Sequence, residues 1–325
     1  MPTLLAAALC ALVASVVGLP VSAAETLTLE ATIPLPNVAG RIDHLAFDEA
    51  RQHLFVAELG NNSVEVVDLT KGAVIHRIEG LSEPQGIEFV PDADILVVAS
   101  GGDGSVTFFS GSDFAPQASV QLGEDADNVH LDAQSGNVVV GYGNGGLAVL
   151  DPHLHTKVGD IPLPGHPEGF QVPSQGVYVN VPNAHQIAVV DLVKGKVVAE
   201  WPQSLTANFP MAFDASTNTL ATVFRDSSML VILDAATGSS IAQIETCGDA
   251  DDVFFDTKRG RLYVSCGAGA IDVFARQGGS VSLLERVPTA KGARTALFVP
   301  ERDRLLVARP ASANADAAIE IYRPQ

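Results

Sequence analysis

Positive charge is scarce in this chain: 19 Lys and Arg stand against 38 Asp and Glu, a formal net charge of -19 over 325 residues. Such a chain repels nucleic-acid phosphates and anionic lipid surfaces, so neither is an expected partner, whereas cations and cationic groups are attracted. Cysteine is nearly absent too. Of three, Cys10 lies in an apolar leading run, which leaves Cys247 and Cys266. Helical periodicity is almost missing, and beyond the first 25 residues no apolar run is long enough to cross a bilayer. No G-x-S-x-G elbow, H-E-x-x-H helix or C-x-x-C-H haem attachment occurs, so no ready-made nucleophile, zinc or haem site is written in the chain.

The leading run, MPTLLAAALCALVASVVGLPVSAAE, has no charged side chain before Glu25 and closes on small residues. It reads as a secretory signal over residues 1–23, although Lys and Arg are missing from its start, with a mature domain over 24–325. The position of Cys10 inside the run argues against a lipid-anchored cysteine. A periplasmic or secreted location follows, and in that setting Cys247 and Cys266 favour a disulfide over free or metal-bound thiols.

What is present is a repeat. Arg41–Leu69 carries three short apolar runs, His44–Phe47, Leu54–Leu59 and Val64–Leu69, separated by turn residues. That pattern predicts antiparallel strands in tight succession, and Ala73–Ile78 supplies a fourth. Equivalents of Asp43 recur at Gln85, Asp127, Glu168, Phe209, Asp251 and Arg294, in steps of 42, 42, 41, 41, 42 and 43 residues. Seven copies at this period predict an all-β chain, a seven-bladed β-propeller of four-stranded antiparallel blades. The seventh copy stops after its third strand, while Thr26–Ile33 precedes the first copy without partners. That segment is therefore expected to supply the missing outer strand and close the ring. A stacked solenoid is disfavoured because no terminal cap is present.

In such a ring, the loops leading into each first strand and those between second and third strands lie on one face, called the top here. The first set places Arg41, Asp43, His44, Asp127, His166, Glu168, Asp249, Asp251 and Arg294 around one mouth. Asp249 and Asp251, two apart on an extended segment, are the sharpest candidates for a divalent cation, with His44 and His166 as imidazole ligands or bases. The competing reading is that these polar groups cap backbone amides at turns. The second set adds Glu58, Tyr142, Asn180, His185, Arg225 and Arg309, with Tyr142 a further ligand-binding candidate. Tyr142 lies in a stretch, residues 141–146, that matches G-x-G-x-x-G but leads into a strand, so it reads as a glycine-rich hairpin. His153 and His155 fall on the opposite face, and His130 reads as a packed interior residue.

The segments FVAE, YVNV and YVSC, each followed by a Gly- or Asn-containing turn, and the recurring VVDL, resemble the repeats of YVTN-type propellers, specifically the exported YncE-like group. The resemblance covers residues 40–325, with RIDH, NFPM, GDADD and GART looking like a subgroup signature; LVVA, VVGY and ATVF depart from the tetrapeptide. It implies a periplasmic or secreted ring, usually without an assigned reaction. WD-repeat character is absent, since Trp201 is the only tryptophan. Two functions stay open. One is a binding module, expected to be monomeric, whose top mouth takes a small molecule, a cation or an envelope protein. The other is a lactonase- or lyase-type enzyme. There a cation held by Asp249, Asp251, Asp127 and Glu168 polarises a carbonyl, His44 or His166 acts as base, and Arg41 or Arg294 clamps an anion.

Overall fold

The computed structural model describes residues 25–325, so the expected signal segment lies outside the described residues. Seven four-stranded sheets are arranged in chain order, each an antiparallel meander. Blade 1 shows the pattern: Leu45–Asp48 innermost, then His53–Glu58, Ser63–Asp68 and, outermost, Ala73–Glu79. The second and third strands are buried along nearly their whole length, because each blade is covered on both faces by its neighbours. Outer strands alternate instead, as in Lys196–Pro202, where every second residue faces water.

The ring closes as expected. Leu27–Leu35 pairs antiparallel with Ala317–Pro324, from Leu27 opposite Pro324 to Leu35 opposite Ala317. It is the fourth strand of blade 7, whose inner three come from the C-terminal end. Ile33 and Leu35 join Leu306 and Ile319 of blade 7 and Leu54 and Val56 of blade 1 in one apolar cluster. The closure is thus both a hydrogen-bonded edge and a packed core, and it leaves no bare blade face. Among the described residues no helix is long and apolar enough to cross a membrane.

The inner strands do not run straight to the channel mouth. In blades 2, 3 and 5 two residues oppose one on the second strand, at Gln85-Gly86, Asp127-Asn128 and Phe209-Pro210. Blade 6 carries an extra residue at Asp251. Such bulges kink a strand and re-aim its side chains. Two residues before five of the seven repeat-equivalent positions the backbone turns left-handed: Glu83 (φ 51°), Asp125 (φ 50°), Ala207 (φ 62°), Asp249 (φ 59°) and Gly292 (φ 84°). Four of these five are not glycine, a costly choice of residue for that conformation.

Candidate functional site

The seven repeat-equivalent positions meet. Asp43, Gln85, Asp127, Glu168, Phe209, Asp251 and Arg294 all line one cavity of about 490 Å³ at the top of the channel. Arg41, His44, His166 and Arg225 share that wall. A second cavity of about 360 Å³ continues below, sharing His44, Asn128 and His130 with the first.

Local packing holds these groups in place. Gly86 is obligatory, since a Cβ there would stand 1.9 Å from the Asp127 carbonyl oxygen of the next blade. Between blades 4 and 5 a buried amide network fixes the Phe209 segment. Asn180 Nδ2 donates to the Phe209 carbonyl (2.9 Å), Asn208 Nδ2 to Asn180 Oδ1 (2.8 Å), and the Thr222 hydroxyl to the Pro210 carbonyl (3.0 Å). Asn180, expected among the top-face loops between second and third strands, is fully buried in the strand Val177–Val181. Cys247 and Cys266 form the expected disulfide, with Cα atoms 5.9 Å apart, and both sulfurs sit in the core between blades 5 and 6. The bridge pins the loop that carries Asp249 and Asp251.

Guanidinium groups answer the acids at this mouth. Arg225 pairs with Asp251, and its guanidinium carbon stands 4.0 Å from the Phe209 ring centre. Arg294 spans Asp249 (2.9 Å) and Asp251 (3.0 Å). Arg41 reaches Asp43 at 2.9 Å. Asp249 and Asp251, the pair expected to hold a cation, are therefore engaged by arginines, and Asp249 does not line the cavity. Among the described residues no group of three or more His, Cys, Asp or Glu side chains gathers as a metal site requires.

Protonation at the mouth is far from ordinary. Burial alone would depress the His44 imidazole, but the Asp127 carboxylate 3.6 Å from Nε2, with Asp43 and Asp252, lifts it to about 9. Asp127 loses by burial and gains more from His44, and ends below the usual carboxylate range. Burial, together with Asp127, pushes Glu168 up to about 8, and burial pushes Asp252 up to about 6. Burial and the nearby Arg294 guanidinium draw Arg225 down to about 10. Below, burial and the charge of His44 bring His130 down to about 4, where its ring packs edge-on against Phe170. At neutral pH the mouth thus combines a protonated imidazole, a neutral carboxylic acid and three guanidinium groups. His166 is oriented differently: its Nδ1–H donates to the Gly143 carbonyl at 2.6 Å, so the neutral ring carries its lone pair on Nε2.

Tyr142 stands apart from the rest. Its hydroxyl donates to Asp160 at 2.6 Å on the outer strand of its own blade, and it does not line the cavity. Gly143 and Gly145 make the turn there with positive φ, as the hairpin reading requires. His153 and His155 lie in a turn on the far face, where Asp151 accepts the His153 amide at 2.8 Å. Arg225 and Asp252 are the mouth residues with least signal in the sequence. Arg225 comes from the loop after Thr219–Phe224, away from the strand-leading loops, and Asp252 lines the cavity directly after the extra residue at Asp251.

No protein-family profile matches the sequence, and no curated protein is similar enough to align with it. Solved structures do match in shape. A chain in the crystal structure of the mitotic checkpoint complex superposes with a TM-score of 0.79 at 13% identity, covering 96% of each chain. A chain of Kuenenia stuttgartiensis hydrazine synthase gives a TM-score of 0.74 at 14% identity, over 87% of this chain and 97% of that one. At such identity the likeness is one of fold alone: this chain is a seven-bladed propeller of four-stranded antiparallel blades.

Proposed function

We propose that the protein is a binding module and that the top of its channel is the site where a small ligand sits. One observation carries this reading. The positions that the repeat makes equivalent are occupied by seven side chains of five residue types, and all of them line one cavity. A ring needing only to close has no use for such divergence at equivalent places. The cavity has the size of a small-molecule site, and its polar groups converge from separate blades. The state of His44 removes one of the two base candidates for hydrolysis, since an imidazole held protonated to about 9 is a donor at neutral pH and no base. A YncE-like relationship and export fit the same picture, and the disulfide suits an oxidising compartment.

Native mass spectrometry tests this proposal. Purified protein is incubated with the small-molecule fraction of a cell extract, desalted and sprayed. We expect a stoichiometric adduct of small-molecule mass that is lost in Arg225→Gln and kept in the far-face double variant His153→Gln, His155→Gln. No adduct, or an adduct indifferent to Arg225, overturns the reading.

A further inference from the structure

The mouth is polarised, and the polarity suggests what it takes. Around the ring from blade 5 through 6 and 7 to blade 1, the cavity wall holds Arg225, Arg294 and Arg41. The remaining arc, blades 2 to 4, contributes Asp125, Asp127 and Glu168 but neither Lys nor Arg; the cation that reaches it is the His44 imidazole of blade 1, 3.6 Å from Asp127. Acids occur on both sides; arginines occur on one.

Each side keeps unused hydrogen-bonding capacity. Arg225 spends Nε on the Ala250 carbonyl and Nη2 on Asp251, which leaves Nη1 without a partner among the described residues. Arg294 donates from Nη1 to Asp249 and sets Nε 3.0 Å from Asp251 as an ion pair, which leaves Nη2 without a partner among the described residues. Arg225 lies in the field of Arg294 and Arg41, which the paired carboxylates offset in part and an anion between them offsets further. Across the cavity Asp127 is 9% exposed, and its Oδ1 accepts no hydrogen bond among the described residues. His44 at 3.6 Å is too distant to donate one. Asp43 Oδ2 and Asp251 Oδ2 on the arginine arc also accept no hydrogen bond among the described residues, but each has a guanidinium nitrogen within 3.0 Å. The Asp127 oxygen has only the more distant imidazole and is stabilised by a donor that the ligand brings.

We propose that the mouth takes a small zwitterion of the α-amino-acid class, with its carboxylate against Arg41, Arg225 and Arg294 and its ammonium group against Asp125, Asp127 and Glu168. The inference rests on the binding reading above and narrows its ligand. A plain carboxylate satisfies the arginine arc but brings no hydrogen-bond donor to Asp127 Oδ1. An amine alone does the reverse, and a phosphate adds charge that the acidic arc repels. The ionisation of the wall agrees. Glu168, kept neutral by burial, ionises more readily beside an ammonium group, and Arg225, made less basic by burial and Arg294, regains basicity beside a carboxylate.

The test screens the common α-amino acids by thermal midpoint on the purified protein. Calorimetric titration then compares each binder with its deaminated acid, its decarboxylated amine and inorganic phosphate. We expect at least one amino acid to bind saturably, and its acid and amine counterparts to bind at least ten-fold more weakly. Asp127→Asn and Arg225→Gln should each weaken it at least ten-fold. Arg41→Gln, at the most exposed of the three arginines, keeps the test open should Arg225→Gln fail to fold. An acid, amine or phosphate binding as tightly as the amino acid overturns the zwitterion while leaving the binding module in place. No shift with any amino acid overturns it as well, and the adduct experiment then decides separately whether the mouth binds anything.

Discussion

His44 shows how much one side chain's chemistry depends on where the ring puts it. In sequence it is one histidine in an Arg-Ile-Asp-His tetrapeptide, equally suited to be base, ligand or turn residue. In the folded chain it belongs to blade 1 but stands beside Asp127 of blade 3 and within the field of Asp252 of blade 6, a reach across the channel that no local pattern encodes. NMR titration of the ring should give a midpoint near 9, and Asp127→Asn should lower it by removing the largest favourable partner. A midpoint at the ordinary 6.5 in the wild-type protein contradicts this geometry. Asp251 is the matching case among the acids. It anchors both Arg225 and Arg294, so Asp251→Asn should cost about 1–3 kcal/mol in chemical denaturation. An unchanged stability shows that these pairs are too well solvated to matter.

At the scale of strands and loops, the closing strand and the bulges carry most of the architecture. Deleting residues 26–35 removes the outer strand of blade 7 together with Ile33 and Leu35, so the thermal midpoint should fall far more than for ordinary terminal trimming. A midpoint within error of the intact protein is incompatible with this closure. The disulfide closes a loop with a sequence separation of 19, for which chain entropy gives about 3 kcal/mol. Cys247→Ala with Cys266→Ala should cost an amount of that order and weaken ligand binding, because the bridge pins the Asp249 loop. Strands and closing segment were legible because a period of 41 to 43 residues and alternating apolar runs are local signals repeated seven times. The bulges were not. The extra residue at Asp251 appears only when the inner strand is set against its neighbour. For the same reason Asp249 and Asp251 looked like a free pair in sequence, while the arginines that engage them arrive from blades 5 and 7.

For the whole molecule, the titrating groups of the mouth set a direction for stability against pH. His44 has a folded value of about 9 against an ordinary 6.5, so its contribution is fully present below about 6.5 and is lost as pH rises through 9. Glu168, raised from 4.5 to about 8, acts in the same sense: its neutral form suits the folded state, and stability is lost as pH climbs through 8. The thermal midpoint should therefore fall between pH 6.5 and 9, and Glu168→Gln should flatten part of that fall; a midpoint that rises over this range has the wrong sign. The central claim is that the seven equivalent positions, filled by five residue types, form one ligand site. The most direct measurement is a crystal structure of the protein bearing the small molecule it captures. We predict ligand density at the top of the channel, between Arg225 and Asp127 and against Phe209; density confined to the far-face turns around His153, or to the outer strands, contradicts the account.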